Sequence, residues 1–269
     1  MTESIRYFNF PLAQIDAMGA CTARSYPRHS HDQYGIGVID DGGHSSWSGR
    51  GQVEAGPGRL ICCNPGEVTD GRAVGGRPRS WRILYFEPDL MRTLCADVRD
   101  GVPHEFTFGD PVFASDQTRG VFDRTFAHAM ERADCHDVMP AESALLGLVA
   151  RLHVHSTTRV KTGGPVGSIR RAKDRIDADP AAPVMLVDLA REAGLSRYQL
   201  LRAFSRELGI TPHAYILQCR IQLARRLIRA RYSLAEVAVV AGFHDQPHLT
   251  RCFVRQFGVT PRRYAARLA

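Results

Sequence analysis

Gly242-Phe243-His244-Asp245-Gln246-Pro247-His248-Leu249-Thr250-Arg251-Cys252-Phe253-Val254-Arg255-Gln256-Phe257-Gly258-Val259-Thr260-Pro261 is the stretch on which the reading of this chain turns. The same device stands upstream, where Gly194-Leu195-Ser196 leads into Tyr198, Leu200, Arg202, Phe204, Arg206, Gly209, Thr211 and Pro212. From Leu200 and Leu249 to Pro212 and Pro261 the offset is a constant 49 residues. Just before, Ala190-x-x-Ala193-Gly194 matches Ala238-x-x-Ala241-Gly242 at an offset of 48, so one residue is added between the second glycine and its helix. Small alanines let two helices approach closely, and glycine accepts a backbone conformation that a side chain resists. Each copy reads as a helix-turn-helix, whose second helix fits the major groove of DNA.

Around the repeat the pattern is helical throughout. Seven helices are expected: Ile169 to Ala178, Val187 to Ala193, Arg197 to Leu208, Pro212 to about Arg229, Leu234 to Ala241, Gln246 to Phe257 and Pro261 to Leu268. Pro212 and Pro261 suit a first helical turn. From Ser168 to the end there are 18 Arg and Lys against 8 Asp and Glu, a balance of +10, while the preceding 167 residues carry −3. A basic half joined to a mildly acidic half suits a nucleic-acid-binding module attached to something else.

The first 110 residues or so read as β-rich. Tyr34 to Ile39, Arg59 to Cys63 and Trp81 to Phe86 are short apolar runs, separated by turn signals at 40–43, 48–51, 56–58 and 64–66. Close-spaced short strands predict a small barrel or jelly roll. Near Ser115 the period changes. Val121, Phe122, Phe126, Ala129 and Met130, then Ala144, Leu145, Leu148, Val149 and Leu152, predict two helices that pair with each other or across a dimer. Residues 156–167, ending in Gly163-Gly164-Pro165 and its flank, read as a linker. The expected domains are therefore 1–155, with a helical part at about 116–155, and 168–269.

No stretch approaches the ~20 apolar residues of a membrane helix, and Met1 to Ala20 shows no signal-peptide core. Seven cysteines without a C-x-x-C pair favour reduced thiols and a cytoplasmic setting.

The segment from about Ser168 to Ala269 resembles the DNA-binding domain of AraC/XylS-type transcription regulators. The resemblance is carried by Ala235-Glu236-Val237-Ala238 through Gly242-Phe243, Leu249-Thr250-Arg251-Cys252-Phe253, Phe257-Gly258 and Thr260-Pro261-Arg262-Arg263-Tyr264. It implies base-contacting positions at Tyr198, Leu201 and Arg202 in the first recognition helix, and at Gln246, Pro247, Thr250 and Arg251 in the second. Leu201 and Pro247 depart from the polar residues often found there. From the helical pattern itself, Leu200, Phe204, Leu249 and Phe253 are core, and Ser205 and His248 face outward. Ser196, Arg197, Arg206 and Arg255 complete the expected DNA surface, chiefly through phosphates.

Residues 28–88 resemble the cupin-like sensor barrel of the same regulators, through Pro27-Arg28-His29-Ser30-His31, Tyr34, Ala55-Gly56-Pro57-Gly58, Asn64-Pro65-Gly66-Glu67 and Tyr85-Phe86-x-Pro88. The resemblance implies a small-molecule effector, and His29, His31, Tyr34, Trp81, Ile83 and Tyr85 are its expected contacts. His29-x-His31 could present two imidazoles to one ion, yet the further Glu and His of metal cupins are replaced by Gly35-Ile36 and Val68-Thr69-Asp70. No metal, cofactor or catalytic residue is therefore expected. Cys62 and Cys63, on opposite faces of a strand, are expected to be packing residues. The whole reads as a two-domain, effector-controlled regulator that binds double-stranded DNA as a homodimer, contacts RNA polymerase and activates more often than it represses. The alternatives are a cupin-type metal enzyme fused to a DNA-binding domain, and a constitutive dimeric regulator without effector.

Overall fold

The computed structural model describes residues 3–12, 14–48, 51–99, 105–130, 138–156 and 167–267. The chain divides into two compact units, Met1–Val160 and Lys161–Ala269. The stretch expected to be a linker lies outside the described residues, apart from Ser156 and Gly167.

Alternation builds the first unit. Strands β1 (Ser4–Asn9), β2 (Ile15–Thr22), β3 (Tyr26–Ser30), β4 (Tyr34–Asp41), β5 (His44–Ser48), β6 (Gly51–Ala55), β7 (Leu60–Cys63), β8 (Val68–Ala73), β9 (Arg79–Phe86) and β10 (Val112–Phe113) form two antiparallel sheets. Their orders are β1-β2-β9-β4-β7-β10 and β3-β8-β5-β6. Successive side chains of a strand point to opposite faces, and β9 uses both. Leu84 and Phe86 join an outer core with Ile36, Val38 and Leu60. Trp81, Ile83 and Tyr85 join an inner core with Met18, Ile39, Ala55 and Cys63. The inner core is the barrel interior expected from the sequence. Cys62 and Cys63 do fall on opposite faces, one packed on each core.

Helices α1 (Pro88–Val98), α2 (Asp116–Met130) and α3 (Met139–His153) cover the outer face. The pair α2 and α3 was expected, and they pack on each other: the Thr125 hydroxyl donates to the Ala144 carbonyl at 3.1 Å. Arg82 pins α2 to the sheet, its Nη2 reaching Asp40 at 2.6 Å and Asp123 at 2.8 Å. Helix α1 corrects the reading of everything before residue 110 as β-rich. Pro88 sits in its first turn with Asp89, and Met91, Leu94 and Cys95 make one buried face.

The second unit holds seven helices among its described residues: α4 (Gly167–Ala178), α5 (Leu186–Ala193), α6 (Arg197–Leu208), α7 (Pro212–Arg229), α8 (Leu234–Val240), α9 (Gln246–Phe257) and α10 (Pro261–Ala266). Their ends explain the repeat. Ser196 and Asp245 cap α6 and α9 by accepting the backbone N–H of Gln199 and His248. Thr211 and Thr260 cap α7 and α10, each followed by a proline in the first turn. Gly209 and Gly258 close α6 and α9, both at φ 74°. The residue added to the second copy lies in its turn, where three steps separate Gly242 from its cap and two separate Gly194 from Ser196.

Candidate nucleic-acid interface and ligand chamber

The repeat sorts its side chains by burial. In α6, Leu200 and Phe204 are buried against Ile169, Leu189 and Ala193. In α9, Leu249, Phe253 and Phe257 are buried, and Phe253 meets Tyr264 edge-on at 5.4 Å. The remaining faces are outward. Arg197, Tyr198, Arg202, Ser205 and Arg206 are exposed on α6, and Gln246, Pro247, Arg251 and Arg255 on α9. Leu201 and Thr250 are half-buried at equivalent positions. Arg202 lies 5.7 Å from the Tyr198 ring centroid, so the two share one patch.

Three expected contacts sit differently from the rest. His248 packs edge-on against Phe243 at 5.4 Å, which turns its ring toward the turn of the motif. The Ser196 hydroxyl is engaged as a cap, its Oγ accepting from Gln199 N at 3.2 Å. Arg206 leans on Glu207 at 3.4 Å, a contact loose and exposed enough to yield to a phosphate. The sequence reading passed over Asp245. Its carboxylate accepts from His248 N at 2.6 Å, a bond that holds its pKa below the usual range, with His244 adding to the effect. The second recognition helix thus begins with a fixed negative charge where the first begins with a neutral hydroxyl.

In the first unit the structure brings most of the expected contacts together. His31 stacks on Tyr85 at 4.9 Å and meets His29 edge-on at 4.8 Å. His29 Nδ1 lies 2.8 Å from the Pro27 carbonyl, which can only accept, so that nitrogen carries the proton. His29 Nε2 then accepts from His31 Nε2 at 3.0 Å. Burial pushes the His29 pKa down, against the pull of the Pro27 carbonyl and Asp70. Trp81 and Ile83 continue the row along β9. Gly35 makes room for the side chains of Cys63 and Tyr85, since a Cβ there would meet Cys63 Sγ at 2.6 Å and Tyr85 at 3.1 Å. Tyr34 stands apart. It lies on the other face of β4, where its hydroxyl donates to the Phe106 carbonyl at 2.7 Å and its ring packs on Phe106 and Phe108. Among the described residues no group of three or more His, Cys, Asp or Glu side chains is placed to hold a metal ion.

The barrel interior also contains residues that the sequence reading missed. Tyr26 meets Trp81 edge-on at 6.3 Å. It reaches the interior because β3 carries an irregularity: Tyr26 pairs with Gly71 and His29 with Thr69, three steps against two. The extra residue lets two positions of opposite parity share a face. Arg79 begins the run that continues with Trp81, Ile83 and Tyr85, and it is 1% exposed. Its Nε donates to His44 Nδ1 at 2.9 Å, its Nη1 to the Arg24 carbonyl at 3.2 Å, and its plane lies 4.8 Å from the Trp81 ring centroid. Among the described residues its Nη2 has no hydrogen-bond partner. Extending the alternation of β9 by one step would have found Arg79. Nothing local in the sequence marks His44, which arrives through the pairing of β5 with β8.

A family profile described as an AraC-like ligand binding domain matches residues 13–149. A second, described as a helix-turn-helix domain, matches residues 189–267. The chain is 28% identical to the HTH-type transcriptional regulator YbfI of Bacillus subtilis over 84% of its own length and 82% of that relative's. It is 23% identical to the HTH-type transcriptional activator RhaS of Yersinia pestis over 99% and 98% of the two chains. Its fold is like that of ToxT from Vibrio cholerae, solved with an unsaturated fatty acid bound, at a TM-score of 0.55 and 11% identity over 98% of this chain and 97% of that one.

Proposed function

The chain belongs to the AraC-type transcriptional regulators, and on that premise we propose that α6 and α9 read double-stranded DNA in the major groove under the control of a small molecule held in the N-terminal chamber. The observation that carries the reading is the matched exposure of Arg202 and Arg251, 49 residues apart on equivalent faces of two capped helices. An exposed arginine at that place can donate two hydrogen bonds to guanine O6 and N7. Helix α7, of 18 residues and so about 27 Å long, is the spacer that lets the two helices address successive turns of one DNA face. The match to a ligand binding domain supports effector control, as does the ligand carried by ToxT. The effector acts by binding two conformations of the protein unequally, and its leverage is limited to that difference. Activation, as in the activator RhaS, and action as a cytoplasmic homodimer in contact with RNA polymerase complete the proposal.

The test begins with genome-wide mapping of binding sites, which supplies the operator. Arg202→Ala and Arg251→Ala are each expected to weaken operator binding by about 1–3 kcal/mol and to relax base preference at one position. Fluorescence anisotropy on operator and point-substituted duplexes measures both. Unchanged affinity and selectivity in the two variants would refute the docking assigned to α6 and α9.

A further inference from the structure

Arg79 is a buried cation, and among the described residues no carboxylate pairs with it. Two of its three nitrogens are held by His44 and the Arg24 carbonyl, which fixes the plane of the guanidinium. The third, Nη2, lies beside β8 at Gly71, where a Cβ would come within 3.3 Å of it. A glycine thus keeps a side chain away from the one nitrogen of Arg79 that, among the described residues, has no hydrogen-bond partner. Cations in such surroundings are normally paired.

We propose that Arg79 is the anion receptor of the chamber, and that the effector is a small organic monocarboxylate with an apolar or aromatic body. The proposal rests on the reading that the chamber takes an effector, and it names the class. One charge is called for, not two. Because His44 Nδ1 accepts from Arg79, the neutral ring carries its proton on Nε2. Burial, and then the Arg79 charge, push the His44 pKa down to about 4, so the ring adds no second positive charge at neutral pH. A carboxylate oxygen suits the single free donor group of a planar guanidinium, whereas a phosphate dianion would leave charge unmatched. Trp81, Tyr26 and Ile83 supply the apolar wall that an uncharged body would lie against.

The test uses the full chain and two matched probe pairs, benzoate with benzamide and octanoate with octanamide. Thermal shift and operator binding are measured for the wild type, Arg79→Met and Arg79→Lys. At least one acid is expected to raise the wild-type Tm and change operator affinity while its amide does neither. Arg79→Met is expected to lower affinity for that acid at least tenfold, and Arg79→Lys to bind more weakly while still preferring acid over amide. If Arg79→Met does not fold, the acid-to-amide preference in the wild type and in Arg79→Lys decides. A purely structural Arg79 would lower the Tm of the variants and leave that preference unmoved, which overturns the proposal. So does binding of acid and amide alike, or of neither acid. The two levels fail differently. A neutral compound that alters operator affinity with Arg79 silent removes the carboxylate and leaves effector control standing. If no compound of a broad metabolite panel alters operator affinity, effector control itself is lost.

Discussion

Gly194 and Gly242 hold the same place in the two copies, at φ 68° and 75°, yet their surroundings differ. A Cβ on Gly194 would meet nothing, whereas one on Gly242 would come within 2.7 Å of the Ala181 carbonyl oxygen and 2.8 Å of its Cα. Alanine in a left-handed conformation costs about 1–2 kcal/mol on its own. Gly194→Ala is therefore expected to lose about that amount in chemical denaturation, and Gly242→Ala distinctly more, because backbone must move as well. Equal losses would show that the Ala181 contact relaxes freely. The difference was not legible in the sequence, where both positions read simply as turn glycines. The burial of Leu200, Phe204, Leu249 and Phe253 was legible, because their spacing keeps them on one helical face. Tyr34 misled. Its nearness in sequence to His29 and His31 suggested a common pocket, but β4 places it on the same side as Ile36 and Val38, facing the helices. Tyr26 was hidden by the irregularity in β3, which breaks the alternation that a reader relies on.

At the scale of elements, α7 joins the two copies by more than its length. Arg220, midway along it, donates Nε to the Pro180 carbonyl at 2.8 Å and Nη1 to the Gly242 carbonyl at 2.6 Å, and its Nη2 reaches Ala182 O at 3.3 Å. One side chain thus ties the segment after α4, in the first copy, to the turn of the second. Arg220→Met keeps the apolar stem and removes every donor. Orphaned, partly buried carbonyls should then cost about 2–3 kcal/mol, and operator binding should weaken although Arg220 lies on neither recognition surface. Stability within ~0.5 kcal/mol of the wild type, the usual range for an unremarkable surface change, would mean that the copies hold together without it. The helices themselves were largely legible, since caps, prolines and glycines punctuate them. Helix α1 escaped because Pro88 read as the end of a strand, although it equally begins a helix.

For the molecule as a whole, charge and architecture agree. The basic balance belongs to the part of the chain that carries the repeat, as a polyanionic partner requires. Arg206 and Arg255, exposed at equivalent positions, are assigned to phosphates. Replacing either with alanine should weaken binding to all duplexes alike and reduce the slope of log affinity against log salt by about 1. A variant that instead changes base preference would move that arginine from the backbone to a base edge. The charge asymmetry was legible in the sequence, as was the change of period near Ser115, where the strands of the first unit give way to α2. The chamber's chemistry was not, because it is assembled from strands that meet only through sheet pairing. Its row of rings from Trp81 through Tyr26, His29 and His31 to Tyr85 runs across one supernumerary residue between Tyr26 and His29, which the irregularity of β3 absorbs. Deleting Pro27 or Arg28 would leave Tyr26 and His29 two steps apart, opposite Gly71 and Thr69 in a regular strand and still on one face. That stretch of β3 can therefore lose a codon and keep its rings inside, whereas smoothing the irregularity without losing the residue would turn Tyr26 or the histidine pair outward.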